Sequence, residues 1–448
     1  MHIQDAIDRV GFGPFQRRLF LVCGVTWAAD AAEILLLSFA LPGITREFGL
    51  TSGQAGAVVT STFAGMLVGA WFWGIMADRV GRRVGFQLTI AIFAVFGVAS
   101  AFATDPVWLA VLRALTGFGL GGALPLDFAL FTEYLPTKDR GRWLVLLESW
   151  WAVGTVTAAG LALLIMPTLG WRWLLGSSAA AALLVLWARS RVPESARYLL
   201  SRGDADGARD LVNQVARANG APPVEQRLTL PSGRGRTTPA ALLRGALGRT
   251  TLLLWVVWLF IGFGYYGIFS WLPQIFATGY GFLRSYQYVF FLALAQLPGY
   301  LSAAWLVERA GRKPVLAGYL AAAAAATFTW AIADSTTLVF VAAGLMNFFT
   351  LGAWAALYAY TPERYPTQLR ASGLGAASGF ARIGAVAAPL AGGALIALSL
   401  PVALAAFAAA FLLAALAVAG YAAETRGTRL DDTVAEHDTT PAGSAGSF

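Results

Sequence analysis

The stretch Gly74–Val84, with the sequence GIMADRVGRRV, returns later in the chain as Leu306–Val315, with the sequence LVERAGRKPV. Both contain an acidic residue, Arg, any residue, Gly, Arg and a base, and corresponding positions are 230 residues apart. A second motif, Glu-x-x-Pro-Thr-x-x-Arg, occurs at Glu133–Arg140 and again at Glu363–Arg370, with the same displacement. Two independent motifs that share one displacement indicate that the chain duplicates one design.

The composition is typical of a membrane protein. Of the 448 residues, 58% are apolar and 12% are charged, and the mean hydropathy is +0.64. Soluble chains are about 45–50% apolar and about 25% charged, and a helix needs about 20 mostly apolar residues to cross a bilayer. Twelve such segments are present, near residues 18–40, 55–77, 84–104, 107–131, 143–166, 172–189, 250–276, 284–307, 314–333, 336–360, 368–396 and 399–421. The sequence therefore predicts an all-α membrane protein with twelve transmembrane helices, called spans 1 to 12 below.

Basic residues concentrate on one side of the predicted membrane. If both termini are cytoplasmic, 27 of the 32 lysines and arginines lie in cytoplasmic segments. Arg46, Arg172 and Arg284 lie on the outer side, and Arg113 and Arg382 lie within spans. The asymmetry follows the positive-inside rule and predicts a multi-pass protein of the inner membrane with cytoplasmic termini. It also explains the pI near 9.8 without a nucleic acid partner.

The repeat divides the chain into two pseudo-symmetric bundles of six helices. We expect an N-terminal bundle at 1–189, a cytoplasmic linker with short amphipathic helices at 190–249, a C-terminal bundle at 250–430 and a disordered tail at 431–448. Parallel repeats of this kind place a substrate site between the two halves. The prediction is a monomeric carrier of a small molecule.

Cysteine and histidine usage argues against several kinds of site. Cys23 is the only cysteine, and His2 and His437 lie near the chain ends. We therefore expect no disulfide framework, no metal site and no cofactor. No nucleophile and base stand in a catalytic arrangement, so an enzyme is not expected. A transport-inactive receptor or sensor is the alternative from another class, and it would need a signalling domain.

The repeated loops are candidates for gates. Gly81 and Gly311 give a short connection its backbone freedom, and the acids can pair with a neighbouring base or with a helix N-terminus. Such pairs can hold one face of a transporter closed, whereas ordinary anchoring at the membrane surface is the alternative. The predicted gating residues are Asp78, Arg79, Gly81, Arg82, Glu133, Arg140, Glu308, Arg309, Gly311, Arg312, Glu363 and Arg370.

Several motifs resemble those of one transporter family. Gly74–Arg83 resembles the loop motif of the major facilitator superfamily, and RALTGFGLGG at Arg113–Gly122 resembles its fourth-helix motif. GFGPFQRRLF, DAAEILLLSFALP, VPESARYLL and TPERYPTQLRASGLG resemble one branch, which contains bacterial niacin and aromatic-acid symporters and synaptic-vesicle-protein-like carriers. Organic anion and cation transporters are more distant members. The resemblance implies the major facilitator fold and alternating-access transport.

Six ionisable residues lie within predicted spans: Asp30, Glu33, Arg113, Asp127, Glu148 and Arg382. Each costs about 2.5–3.5 kcal/mol on insertion scales, so we expect them to line a hydrated path. Asp30 and Glu33 lie three residues apart on one helical face, where two neighbouring carboxylates favour uptake of a proton. This pair is predicted to carry the coupling proton, with Arg113, Asp127 and Glu148 as further candidates. A structural pairing with Arg113 is the alternative.

Arg382 is the strongest candidate for a substrate contact. Its repeat equivalent is Ala152, so the duplication does not require a base there. A guanidinium binds a carboxylate through two parallel hydrogen bonds and stays charged. The resemblance adds that the matching arginine of organic anion transporters is associated with anion binding. A salt bridge to Glu148 or Asp127 is the alternative.

Aromatic residues that could stack on a flat ring cluster in the same spans. The candidate substrate contacts are Trp150, Trp151, Tyr265, Tyr266, Trp271 and Tyr358, with Gln274 and Asn347 as polar neighbours. Packing within the membrane is the alternative. Together these residues predict proton-coupled symport of a small organic anion, plausibly an aromatic carboxylate such as nicotinate. An organic cation, drug or sugar transporter of the same fold is the competing prediction.

Overall fold

The computed structural model describes residues 1–80, 82–138, 140–180, 194–229, 239–365 and 369–425, together with Leu183 and Trp187. Gly81 and the side chains of Asp78, Arg79, Arg82 and Asp127 lie outside the described residues, as does the C-terminal tail. Roles predicted for them stay predictions. The described part is almost entirely helical, which confirms the all-α prediction.

The N-terminal half contains spans 1 to 6, whose bounds are as follows. Span 1 is Pro14–Phe48, span 2 is Ser52–Val80, span 3 is Arg82–Ser100 and span 4 is Pro106–Tyr134. Span 5 consists of two helices, Arg140–Glu148 and Trp150–Ile165, and span 6 begins with Gly170–Gly176. The helices Ile3–Val10, Ala196–Ser201 and Ala205–Asn219 lie outside the spans.

The C-terminal half contains spans 7 to 12, preceded by the short 3-10 helix Pro239–Leu243. Span 7 is Gly245–Tyr280, span 8 consists of Phe282–Leu294 and Gln296–Ala310, span 9 is Arg312–Ala331, span 10 is Thr336–Glu363, span 11 is Arg370–Leu398 and span 12 is Leu400–Tyr421. In the described part of the chain, nine segments are long and apolar enough to cross a membrane. Two shorter apolar helices, Gln87–Ser100 and Pro106–Gly122, coincide with spans 3 and 4.

Side-chain caps fix where several spans begin. The carboxylate of Asp105 accepts a hydrogen bond from the backbone N–H of Trp108 at 2.9 Å, immediately before Pro106. Ser335 and Ser399 cap spans 10 and 12 in the same way. Such residues satisfy backbone donors that a helix start leaves without a partner, and Pro is well tolerated in the first turn.

The two halves use the same packing scheme. Span 1 packs on span 5 and span 2 on span 4, just as span 7 packs on span 11 and span 8 on span 10. The halves meet where span 2 contacts span 11, span 1 contacts span 7 and span 5 contacts span 8. We call the end that carries Met1 and the linker the termini face, and the opposite end the far face.

At the far face the halves are in close contact. A Cβ atom on Gly56 of span 2 would lie 2.6 Å from the carbonyl oxygen of Pro389 in span 11, so only glycine permits this approach. The hydroxyl of Thr60 donates to the carbonyl of Val386 at 3.2 Å, and that of Tyr286 donates to the carbonyl of Phe39 at 3.2 Å. The path between the halves is therefore closed at the far face.

A second hydrophobic core lies at the termini face. Apolar residues of Ile3–Val10 and Ala205–Asn219 are buried together with residues of spans 1, 4 and 5, including Cys23. The backbone of Ile3 donates to Thr229 at 3.1 Å, and Thr229 donates to Met1 at 3.0 Å. The first part of the linker is thus folded against the N-terminal half.

Candidate functional site

A central cavity lies between the two halves. It has an empty volume of about 750 Å³ including its opening, and spans 1, 2, 4 and 5 face spans 7, 8, 10 and 11 around it. The lining residues are Trp27, Asp30, Ile34, Phe63, Met66, Leu120, Glu148, Trp151, Trp258, Tyr265, Tyr266, Tyr300, Leu351, Trp354, Tyr358, Ser378, Ala381, Arg382 and Ala385. An apolar and aromatic lining with a few charged groups suits a small, partly apolar ligand.

Charged groups of opposite sign line the two sides of this cavity. Asp30 and Glu148 come from the N-terminal half, and Arg382 comes from the C-terminal half. The guanidinium Nη1 of Arg382 donates to the carbonyl oxygen of Met66 at 3.2 Å, which joins the halves. Among the described side chains, no ion pair within 4 Å connects Arg382 to Glu148. The guanidinium therefore keeps donors for a ligand.

Glu148 is also placed for contact with the cavity contents. The residue is 4% exposed, and its Oε2 has no hydrogen-bond partner among the described residues. A buried carboxylate oxygen without a partner is costly. Within the described chain, no group of three or more His, Cys, Asp or Glu side chains is arranged to hold a metal ion.

Glu33 and Arg113 form an ion pair inside the N-terminal half. The Nη1 of Arg113 lies 3.0 Å from Oε1 of Glu33, and both side chains are fully buried. A Cβ atom on Gly97 of span 3 would lie 3.0 Å from the same Oε1, so glycine makes room for the carboxylate. Asp30 lines the cavity while Glu33 does not line it. The two acids predicted as a pair thus belong to adjoining but different environments.

Tyrosine and tryptophan residues form most of the cavity surface. The indole N–H of Trp151 donates to the hydroxyl of Tyr265 at 2.7 Å, a hydrogen bond between the halves. Tyr266 and Tyr358, also predicted as substrate contacts, line the cavity beside Arg382. Trp258, Tyr300 and Trp354 were not predicted. Trp258 and Trp354 lie seven and four residues from Tyr265 and Tyr358, and this helical spacing is the signal that could have found them.

Four predicted substrate contacts lie elsewhere in the described structure. Trp150 packs against Gly24 and Phe20 of span 1, and the indole of Trp271 donates to the carbonyl of Pro389 at 3.0 Å. Gln274 and Asn347 lie in spans 7 and 10, on the far-face side of the cavity. None of the four lines the central cavity.

Three of the predicted gating residues of the C-terminal half, Glu308, Arg312 and Glu363, form a connected network. Arg312 lies 3.0 Å from Glu308 and 3.1 Å from Glu363, and the Nε of Arg370 donates to the carbonyl of Pro362 at 3.0 Å. Arg309 instead stacks on Trp305, with its guanidinium carbon 4.1 Å from the ring centroid.

A third repeat, which sequence reasoning missed, supplies a hydroxyl to the loop glutamate of each half. Thr425 donates to Glu363 at 2.6 Å, and Ser195 donates to Glu133. Ser195 and Thr425 are again 230 residues apart, as are the preceding Glu194 and Glu424. The same displacement in the sequence was the available signal. In the N-terminal half, Arg140 donates to the carbonyl of Leu135 at 2.8 Å.

Comparison with known proteins identifies the family. The model of the Major Facilitator Superfamily matches residues 19–309 and 289–445. The niacin transporter NiaP of Acinetobacter baylyi is 40% identical over 394 residues, which cover 87% of this chain and 89% of that protein. The putative niacin/nicotinamide transporter NiaP of Bacillus subtilis is 36% identical over 419 residues, covering 93% and 98%. Synaptic vesicle 2-related protein of Bos taurus is 34% identical over 452 residues, covering 96% and 82%.

The fold is shared with a solved structure of the xylose transporter XylE from E. coli in a partially occluded inward-open conformation. The TM-score is 0.74 at 17% sequence identity, with 93% of this chain and 100% of that chain covered. These matches confirm the predicted twelve-helix, two-bundle fold and the predicted resemblance. The chain is a multi-pass membrane transporter that belongs to the major facilitator superfamily.

Proposed function

We propose that this protein imports a small aromatic monocarboxylate, with nicotinate as the leading candidate, together with a proton. The observation that carries the proposal is the guanidinium of Arg382, which is the one base among the described lining residues and lies among aromatic and aliphatic side chains and two acids. The niacin transporters among its relatives support the same substrate class.

Arg382 binds the substrate carboxylate in this proposal. Its guanidinium presents paired N–H donors that match the two oxygens of a carboxylate. Tyr266 and Tyr358 line the cavity beside it and offer ring faces for an aromatic substrate. Because the guanidinium and the carboxylate are both charged, the hydrogen bonds between them are stronger than those between neutral groups.

The coupling proton enters through Asp30 and acts on the ion pair behind it. Asp30 faces the cavity, and Glu33 lies one helical turn away in contact with Arg113. A proton passed to Glu33 removes its charge and weakens the attraction to Arg113. A buried charge that loses its partner is strongly destabilised. Protonation of Glu33 therefore destabilises the packing that holds it beside Arg113, and span 1 and span 4 move relative to each other.

The transport cycle follows from the closed far face. With both termini cytoplasmic, as the positive-inside rule predicts, the far face lies on the side of the membrane away from the cytoplasm, and the contacts between spans 2 and 11 seal it. Outward opening separates Thr60 from Val386 and Tyr286 from Phe39. The protein then works as a monomer in the inner membrane, and the two halves rock about the central cavity.

A second candidate function is transport of an organic cation. Asp30 and Glu148 give the cavity two acids against one base, and a quaternary ammonium binds well among aromatic rings. Sugar transport could use the hydroxyl and indole N–H groups of the lining tyrosines and tryptophans, but a neutral sugar gives the charge of Arg382 no role.

The decisive experiment is uptake into proteoliposomes of nicotinate, benzoate, glucose and tetraethylammonium, with and without an inward proton gradient. We expect gradient-dependent accumulation of nicotinate and benzoate. Arg382→Ala should reduce this uptake about 100-fold and abolish thermal stabilisation by carboxylates, because two charge-assisted hydrogen bonds are lost. Arg284→Ala, an exposed substitution in the same half, is the matched control. Transport of tetraethylammonium alone would replace the anion proposal with the cation one.

A further inference from the structure

A second, smaller cavity lies between the central cavity and the closed far face; we call it the outer chamber. Leu35, Phe39 and Thr155 line it from the N-terminal half, and Phe269, Val289 and Asn347 are among its lining residues from the C-terminal half. We infer that the outer chamber is a specificity subsite, in which the amide of Asn347, oriented by its hydrogen bond with Gln296, donates to a hydrogen-bond acceptor on the aromatic ring, such as a pyridine nitrogen. The inference rests on the proposed function. It adds that the protein recognises a hydrogen-bond acceptor on the substrate ring as well as the carboxylate.

The outer chamber continues the central cavity along the same helices. Thr155, Phe269 and Asn347 each lie four residues, or about one helical turn, further toward the far face than Trp151, Tyr265 and Leu351 of the central cavity. The hydrogen bond of 2.7 Å between Trp151 and Tyr265 lies at this boundary and joins the halves. Because both halves line the chamber, their separation at the far face widens it and connects it to the central cavity.

Asn347 lines the chamber and presents an amide with unused hydrogen-bonding capacity. Gln296 and Asn347 are fully buried, and the Nε2 of Gln296 donates to the Oδ1 of Asn347 at 3.1 Å. The Nδ2 of Asn347 uses one hydrogen to donate to the carbonyl of Ala343 at 2.9 Å, and each amide nitrogen carries a second hydrogen. Neither Oε1 of Gln296 nor the hydroxyl of the nearby Thr350 has a partner among the described residues. A purely structural amide pair would be expected to satisfy these groups.

Apart from Thr155, whose hydroxyl donates to the carbonyl of Trp151 at 3.1 Å, the remaining chamber lining is apolar, which suits the ring of an aromatic ligand. The guanidinium of Arg382 cannot separate nicotinate from benzoate, because both present the same carboxylate. The ring nitrogen is the difference, and an amide N–H can donate to it. A site built to hydrogen-bond a substrate group discriminates against an analogue without that group, because its own polar atoms are then left without partners.

The test compares nicotinate and benzoate uptake by Asn347→Leu, a change of similar size that removes the amide. We expect KM for nicotinate to rise about tenfold and KM for benzoate to stay within about twofold, as loss of one ligand hydrogen bond predicts. Thr327→Val is the matched control. It also removes a fully buried polar group of the C-terminal half, but its hydroxyl bonds to Ala323 of its own helix and lies outside the chamber lining. The control should change neither KM.

If Asn347→Leu changed the KM for nicotinate and the KM for benzoate equally, or changed neither, the inference would be overturned. If the variant does not fold, competition on the wild-type protein decides the question. Benzoate added outside should then compete with nicotinate uptake about tenfold more weakly than unlabelled nicotinate does, and equal competition would contradict the subsite. Failure of the wild type to transport either compound is a separate result, and it removes the proposed function itself.

Discussion

The two halves of the molecule share their scaffold and differ in the chemistry that they present to the central cavity. Corresponding spans pack in corresponding pairs, and repeated loop motifs make related contacts. At the cavity, however, Glu148 of the N-terminal half corresponds to Ser378 of the C-terminal half, and Trp151 corresponds to Ala381. All four residues line the cavity. These corresponding positions therefore still face the cavity in both halves, whereas their side chains have diverged.

The cavity base, Arg382, also has no charged counterpart in the other half. Arg382 lines the cavity, whereas its repeat equivalent Ala152 is fully buried. The N-terminal half contributes acids and the Glu33–Arg113 pair, and the C-terminal half contributes the base and all four tyrosines among the described lining residues. In the proposed function, the N-terminal half therefore handles the proton and the C-terminal half holds the substrate.

Glu33→Gln tests most directly whether the N-terminal half handles the proton and the C-terminal half holds the substrate. The variant removes the charge that pairs with Arg113, so uptake driven by a proton gradient should fall about 100-fold or more, as expected for disruption of a fully buried pair. Exchange of labelled for unlabelled nicotinate across the membrane should persist, because substrate contacts are intact. Both rates are measured in the same proteoliposomes.

Glu225→Gln in the exposed linker is the control for Glu33→Gln and should leave both rates unchanged. Loss of exchange together with gradient-driven uptake would mean that the N-terminal half also holds the substrate, which contradicts the division of roles.

Glu148→Gln tests whether an acid of the N-terminal half opposes the substrate charge. Removing this like charge should tighten nicotinate binding about three- to tenfold, since charges across a partly hydrated cavity still interact appreciably. Binding is measured by titration calorimetry. Weaker binding of nicotinate by the variant would show instead that Glu148 supports the substrate.

Trp151→Phe should have the smallest effect. It removes the hydrogen bond of 2.7 Å to Tyr265, and a bond of this kind contributes about 1 kcal/mol, which corresponds to roughly a fivefold shift toward the outward-open state. Faster amide hydrogen exchange near Gly56 and Pro389 would report the shift.

Trp171→Phe provides the comparison for Trp151→Phe. It also removes an indole hydrogen bond of 2.7 Å, here to Glu47, but within the N-terminal half. Equal exchange rates for the two variants would show that the bond between the halves has no special part in closing the far face.

Much of the fold was predictable, because helix length, charge asymmetry and a constant displacement of 230 residues are all properties of the sequence itself. The network of Arg312 with Glu308 and Glu363 also follows from repeated motifs. The hydrogen bonds of Ser195 and Thr425 to the loop glutamates could also have been predicted, because the two residues are 230 positions apart. Their repeat, an acid followed by a hydroxyl residue, is shorter than the other two motifs.

The environment of each buried acid was harder to predict. Asp30 and Glu33 differ by three residues, which leaves them about 60° apart around the helix axis. That angle is enough for Asp30 to face the cavity while Glu33 contacts span 4. Which of the two acids faces the cavity depends on how the neighbouring spans pack around span 1, and this packing is not visible in the sequence of span 1. Asn347 and Trp271 illustrate the second difficulty, because periodicity predicts which face a residue occupies and not how far along the path it lies.

The lone thiol of the chain has a practical consequence. Cys23 is 1% exposed in the core at the termini face, and a thiol in apolar surroundings reacts slowly. Spectroscopic reporters attached to cysteines introduced on either side of the far-face seam would then label with little background, without prior removal of native thiols. Distances between such probes could follow the rocking of the halves in an otherwise unaltered protein.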